Sequence, residues 1–278
     1  MAGVSIFGTE ATVTRLLVLP APTIIGARGL VVSFLLVAIH LLRGRSLRLE
    51  SSRLLVVGIG LCFAGDYLLF TAGIQRAAVA TVVTLMYLYP VFTALLAGLF
   101  LGERVQTRTG LALLIGLLGI GVISYPMWVS SGTVEMQAIA MGLGVAGFVA
   151  VERTLVKKLD PALSSLTVNT YKYTMIALLF FPGLVGGLDQ IAGSTLVLVL
   201  ISALMSGVIA GTLLLSGVRR VRAIEGAALG YFEPVVAIGL AWLVVGEAPT
   251  ANALVGGAII FLSSYLVLKE TAPSLTTA

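Results

Sequence analysis

Ten apolar stretches divide this chain, each close to the roughly 20 residues a helix needs to span the hydrocarbon core of a bilayer. They cover residues 4–19, 24–42, 54–73, 77–101, 109–125, 137–156, 164–181, 195–216, 224–245 and 250–268. Of the 278 residues, 59% are hydrophobic and only 10% charged, where soluble domains carry about 25% charged residues. Too little polar surface remains to coat a globule in water, which excludes a water-soluble enzyme or nucleic-acid binder. The net charge of +5 then reads as Lys and Arg retained on the cytoplasmic side of a membrane, with no nucleic-acid partner. The single Cys62 and single His40 allow no internal disulfide and give no metal-ligand spacing. The expectation is an all-α integral membrane protein without metal or cofactor.

The breaks between the stretches set the orientation. With the N-terminus cytoplasmic, the cytoplasmic loops hold Arg43, Arg45, Arg48 and Arg53, then Arg104 and Arg108, then Arg153, Lys157 and Lys158, then Arg219, Arg220 and Arg222, with Lys269 after the last span. That is 13 of the 17 basic residues, whereas the opposite-side loops at 126–136, 182–194 and 246–249 have none and the fourth has only Arg76. The positive-inside rule predicts ten spans with both ends cytoplasmic. The first span is short, and it does not read as a cleavable signal: it lacks a basic start and contains Glu10 and Arg15.

The chain also repeats itself. A shift of 144 residues aligns 72–103 with 216–247 without a gap, and 11 of the 32 positions are identical. Leucines could coincide by chance in two apolar helices; the shared Tyr87/Tyr231, Pro90/Pro234, Gly102/Gly246 and Glu103/Glu247 are harder to dismiss. The same shift pairs Arg28 with Lys172. Each copy holds five spans, an odd number, so the second enters the membrane from the opposite side. The prediction is two inverted five-helix repeats, residues 1–130 and 131–270, followed by a tail at 271–278. Inverted repeats are typical of secondary transporters, whose substrate site lies near the midplane between the halves.

The runs Tyr87-Leu-Tyr-Pro-Val-Phe-Thr-Ala-Leu-Leu-Ala-Gly-Leu-Phe-Leu-Gly-Glu103 and Tyr231-Phe-Glu-Pro-Val-Val-Ala-Ile-Gly-Leu-Ala-Trp-Leu-Val-Val-Gly-Glu247 resemble the two copies of the EamA domain of the drug/metabolite transporter superfamily. Phe7-Gly8 resembles the Trp-Gly of that family's first helix, and Arg28 stands where its second helix often carries Arg. The resemblance covers essentially the whole chain. It implies a ten-helix transporter, commonly an exporter of amino acids or other small metabolites. It also implies a central cavity surrounded by helices one, three, four and nine and the second-half equivalents of the first two. Family members have several more residues ahead of the Trp-Gly position, so either the start is late or the first helix is short.

Ionisable groups inside a bilayer cost about 2.5–3.5 kcal/mol each on insertion scales and so usually face a cavity or a partner. Glu233 is the sharpest case. It precedes Pro234 mid-span, and that proline frees the carbonyl of Gly230 and bends the helix. A carboxylate beside exposed carbonyls suits a proton, a cation or an amine; the plainer alternative is a buried carboxyl that only maintains the bend. Its repeat mate is Tyr89, before Pro90, so inversion sets the two across one axis. Glu10, in the polar string Gly8-Thr9-Glu10-Ala11-Thr12, and Asp66, beside Tyr67, are further candidates. Their plainer alternatives are ion pairs, Glu10 with Arg15 or Lys172 and Asp66 with Arg28 or Arg76. Tyr67, Tyr87, Tyr89 and Tyr231 are placed to cup a small organic solute.

Lys172 and Arg28 could meet a substrate carboxylate, against the alternative that they snorkel to the interface. Glu225, Glu103 and Glu247 read as helix-end residues. Gly142-Leu-Gly-Val-Ala-Gly147 fits a dinucleotide fingerprint, but that mechanism needs a strand before it and water around it, so close helix packing is expected instead.

The leading reading is therefore a secondary transporter working by alternating access on a small-molecule substrate. With no phosphate-cradling loop in the chain, it would draw on a solute gradient or protons. The expected setting is a bacterial inner membrane, with monomer and dimer both open. A lipid translocase of the same fold is the alternative. An intramembrane enzyme is less favoured, because His40 has no serine partner in sight and the repeat lends it no support.

Overall fold

The computed structural model describes residues 17–44, 47, 49, 52–77, 79–131, 136–240, 242 and 248–275. The first expected span lies almost wholly outside them, and with it Glu10. Elsewhere the apolar stretches become helices, because lipid offers no partner to a free peptide group and each segment must satisfy its own. The helices are α1 (Ala21–Leu42), α2 (Arg53–Arg76), α3 (Val79–Met86), α4 (Tyr89–Leu101), α5 (Thr107–Ser131), α6 (Met136–Lys157) and α7 (Ser165–Leu179). They continue with α8 (Phe181–Val185), α9 (Gly193–Ser202), α10 (Gly211–Arg220), α11 (Ala223–Ala228), α12 (Glu233–Leu240) and α13 (Ala251–Leu275). No strand occurs among the described residues.

Six segments are long and apolar enough to cross a membrane: Ala21–Leu42, Arg53–Arg76, Thr81–Leu101, Thr107–Pro126, Met136–Lys157 and Gly193–Arg220. The expected span at 164–181 is helical but divided, the described residues of 224–245 are likewise divided, and the apolar part of the last helix is the shorter Ala251–Val267. Large apolar side chains such as Leu42, Leu54 and Leu99 point outward and exposed, the orientation lipid rather than water rewards.

The repeated Tyr-x-x-Pro motif interrupts a helix in both halves. Pro90 has no N–H for the carbonyl of Met86, and the chain turns at Tyr87–Leu88 between α3 and α4. Pro234 does the same to Gly230, and Leu229–Phe232 tightens into a 3-10 turn between α11 and α12. A π-helical stretch at Ala203–Ala210, which nothing in the local sequence announces, joins α9 to α10.

The halves interlock. α6, the first helix of the expected second repeat, packs on α2, α3 and α4 of the first, while α1 pairs with α7 and α5 with α13. Small residues permit these approaches. A Cβ on Gly142 would lie 2.9 Å from the carbonyl oxygen of Val82, and one on Gly256 would lie 2.6 Å from that of Gly119. The Gly142–Gly147 string thus contributes to helix packing, as its setting in an apolar span implied.

Candidate functional site

Helical periodicity brings one face of each of several helices to a common cavity. On α2, Phe63, Asp66, Tyr67 and Phe70 follow the i, i+3, i+4, i+7 spacing of a single face, and all four line the cavity. On α6 the same logic presents Val145, Val149 and Glu152, with Arg153 beside them. α1 contributes Arg28 and α7 contributes Lys172 and Tyr173. Ser202 and Ser206 enter from the α9 side, and Gly226, Gly230 and Glu233 from the broken α11–α12 segment. Met86 and Tyr89 flank the matching break in the first half. The space enclosed is about 150 Å³, well above the 10–15 Å³ that one water needs.

Three cations (Arg28, Arg153, Lys172) and three carboxylates (Asp66, Glu152, Glu233) therefore share one wall system. Arg28 is buried; its Nε donates to Ser202 Oγ at 2.8 Å and its guanidinium to the Tyr67 hydroxyl at 2.7 Å. Lys172 is buried as well. Its ammonium donates to Glu152 Oε1 at 2.9 Å and sits 3.7 Å from the centre of the Phe63 ring. Phe63 in turn stacks on Tyr67 at 5.6 Å and meets Tyr173 edge-on at 5.2 Å. Charged and aromatic groups thus hold one another inside the bundle, where each would be expensive alone.

Of the residues singled out from sequence, Glu233, Asp66, Tyr89, Tyr67 and Lys172 line the cavity. Tyr89 and Glu233, repeat mates by sequence, both line it, and the Tyr89 hydroxyl lies where a side chain on Gly230 would stand. Tyr87 and Tyr231 are not brought to it; both are buried in the apolar cluster with Ala97, Ile224 and Ile260. Pro90 and Pro234 act at the two helix breaks. The snorkelling alternative for Arg28 and Lys172 does not hold, because both find partners inside the bundle. Lys172 pairs with Glu152, which is absent from the sequence-based candidates because beside Arg153 and Lys157 it looks like a helix-end charge. Arg153, a loop cation by its place in the sequence, faces the cavity from α6. The signal available is the 145, 149, 152 spacing, which puts Glu152 on an otherwise apolar inward face.

The Gly-Glu motif has a separate structural task. Gly102 turns the chain in the left-handed region at φ 66°, and Glu103 then accepts hydrogen bonds from the backbone N–H groups of Ala223 and Ile224 at 3.0 and 3.3 Å. A carboxylate from the first half thereby caps α11 of the second. Glu225 closes the same helix start by accepting from the Arg222 N–H at 3.3 Å.

The profile of the EamA-like transporter family matches residues 1–125 and again residues 136–269. The chain belongs to this family. It is thereby a member of the drug/metabolite transporter superfamily, and with its apolar helices an integral membrane protein. Among curated proteins none matches significantly. A solved structure described only as "Crystal structure of protein" is similar over 95% of this chain and 93% of its own, with a TM-score of 0.79 at 19% identity. At that identity the likeness speaks for the fold alone.

Proposed function

We propose that this EamA-like protein is a secondary active transporter that exports amino acids or related small metabolites by alternating access, coupled to protons. In this reading ten helices form two inverted five-helix repeats, residues 1–130 and 131–270, in a bacterial inner membrane with both termini cytoplasmic. The observation that carries it is the convergence of six ionisable side chains on a cavity where α6 of one repeat interlocks with α2 to α4 of the other. A balanced set of cations and carboxylates suits a small solute bearing both charges, and binding sites of inverted-repeat carriers lie at this kind of interface. Glu233, at a helix break beside Tyr89, is the proposed coupling carboxylate, with Asp66 and Glu10 as further candidates. The same charged lining is poorly suited to acyl chains, so a lipid translocase is the weaker reading.

Solute-driven proton flux in proteoliposomes, with amino acids and small amines as solutes, tests this. Wild type is expected to couple proton flux to one solute class, and Glu233→Gln to abolish the coupling. Absence of flux with every solute would sink the reading; normal coupling in Glu233→Gln would remove Glu233 from it.

A further inference from the structure

The Lys172 ammonium occupies a site with all the chemistry needed to recognise a free organic ammonium. A carboxylate oxygen of Glu152 stands at 2.9 Å, and the face of Phe63 at 3.7 Å. Tyr67 and Tyr173 pack around Phe63 and fix its plane. A carboxylate combined with an aromatic face is the general recipe for binding an alkylammonium, through an ion pair and a cation–π contact together. The lysine reaches this site on a flexible four-carbon stem, and Lys172, Glu152 and Phe63 all line the open cavity. A solute in the cavity therefore faces the same two groups that hold the lysine.

An alternative berth for the displaced lysine lies close by. Asp66 is three residues beyond Phe63 on the same face of α2, and it lines the same cavity. Arg28, the repeat equivalent of Lys172, donates to the Tyr67 and Ser202 hydroxyls. The nearby π-helical stretch brings only Ser206 to the cavity as a polar group.

We propose that Lys172 is a tethered occupant of an ammonium-binding site, and that a solute with a primary ammonium binds by taking its place on Glu152 and Phe63 while Lys172 moves to Asp66. No bond is made or broken, and one ammonium replaces another on the same carboxylate, so the charge on Glu152 stays neutralised throughout. Lys172 then sets specificity: a solute must out-compete it, and a neutral or anionic analogue cannot. This deepens the transport reading and depends on it only for the bound solute being cargo.

The test is equilibrium binding of n-butylammonium to the purified full-length chain in detergent micelles, with 1-butanol and butyrate as neutral and anionic controls. Lys172→Met is expected to bind n-butylammonium about tenfold more tightly than wild type, the scale of removing one cation–π and ion-pair competitor. Lys172→Arg, which refills the site, should behave as wild type, and Lys172→Met/Glu152→Gln should lose the gain. Equal affinity of folded Lys172→Met and wild type, or a gain that survives Glu152→Gln, overturns the proposal. Should Lys172→Met fail to fold, Glu152→Gln and Phe63→Leu in the wild-type background decide it. Each is expected to weaken n-butylammonium at least about fivefold, and unchanged binding in both overturns the site. Proteoliposome counterflow separates the two readings: counterflow without these binding effects leaves the transporter and removes the ammonium site, and the binding effects without counterflow do the reverse.

Discussion

Arg28 and Lys172 stand at equivalent positions of the two repeats, 144 residues apart, on helices α1 and α7 that pack on each other. The groups seen around each of them nevertheless differ. Arg28 donates to two hydroxyls, one from α2 and one from α9, a use suited to a planar guanidinium with several fixed donors. Lys172 is held by one carboxylate and one aromatic face, a use suited to a compact point charge. The asymmetry extends outward: the repeat equivalents of Phe63 and Tyr67 are Gly207 and Gly211, and the equivalent of Tyr173 is Gly29. Of these glycines, Gly207 is the one that comes close to the aromatic group, with a Cβ there 3.3 Å from the Tyr173 ring. Duplication preserved the two helix breaks, while residue types around the two cations diverged.

The largest test of this contrast is Glu152→Ala. Removing one partner of a buried ion pair leaves an uncompensated charge, so the expected loss is about 3–5 kcal/mol, read as a lowered thermal midpoint by size-exclusion chromatography after heating. Glu152→Ala/Lys172→Met should recover a large part of it; a double variant as unstable as the single would mean the pair is not what stabilises Lys172. Next comes the roomy side. A methyl at Gly207 would meet the Val32 side chain and come within 3.3 Å of the Tyr173 ring, so Gly207→Ala should cost about 1–3 kcal/mol by overpacking. A neutral result would show that the glycine is not needed to admit Tyr173.

Smaller again is Tyr67→Phe, which removes one of the Arg28 bonds. Interhelical hydrogen bonds in membranes are worth about 0.6–1.7 kcal/mol, and a fall in midpoint matching that range, well below the effect of Glu152→Ala, would sharpen the difference between the two cations. An equal or larger effect would erase it. Smallest is Glu103→Gln, which keeps an acceptor for the Ala223 and Ile224 N–H groups but loses the charge at the helix start. The expected cost is about 0.3–1 kcal/mol, diminishing with added salt; insensitivity to salt would argue against the charge acting on α11.

Much of this fold is legible in the order of residues. Six of the expected spans fall on helices long and apolar enough to cross a membrane, because an apolar run is a local signal that lipid enforces directly. The two breaks are readable from Pro90 and Pro234, since a missing N–H acts on the carbonyl four residues back whatever the surroundings. The inward faces of α2 and α6 are written in their helical spacing, with Asp66 and Tyr67 standing out by residue type on the one and Glu152 on the other. The π-helical joint at Ala203–Ala210 has no such signal.

What the sequence by itself determined was the solvent the chain folds in, the duplication and the positions where helices must yield. Which charge meets which partner was decided only by the tertiary structure. Arg28 finds Ser202 across 174 residues of chain and Tyr67 across 39, and Lys172 finds Glu152 across 20. Periodicity tells which way a side chain points from its own helix. It carries no information on the crossing and depth of the neighbouring helix, and those two quantities select between an ion pair, a hydroxyl cradle and the membrane surface.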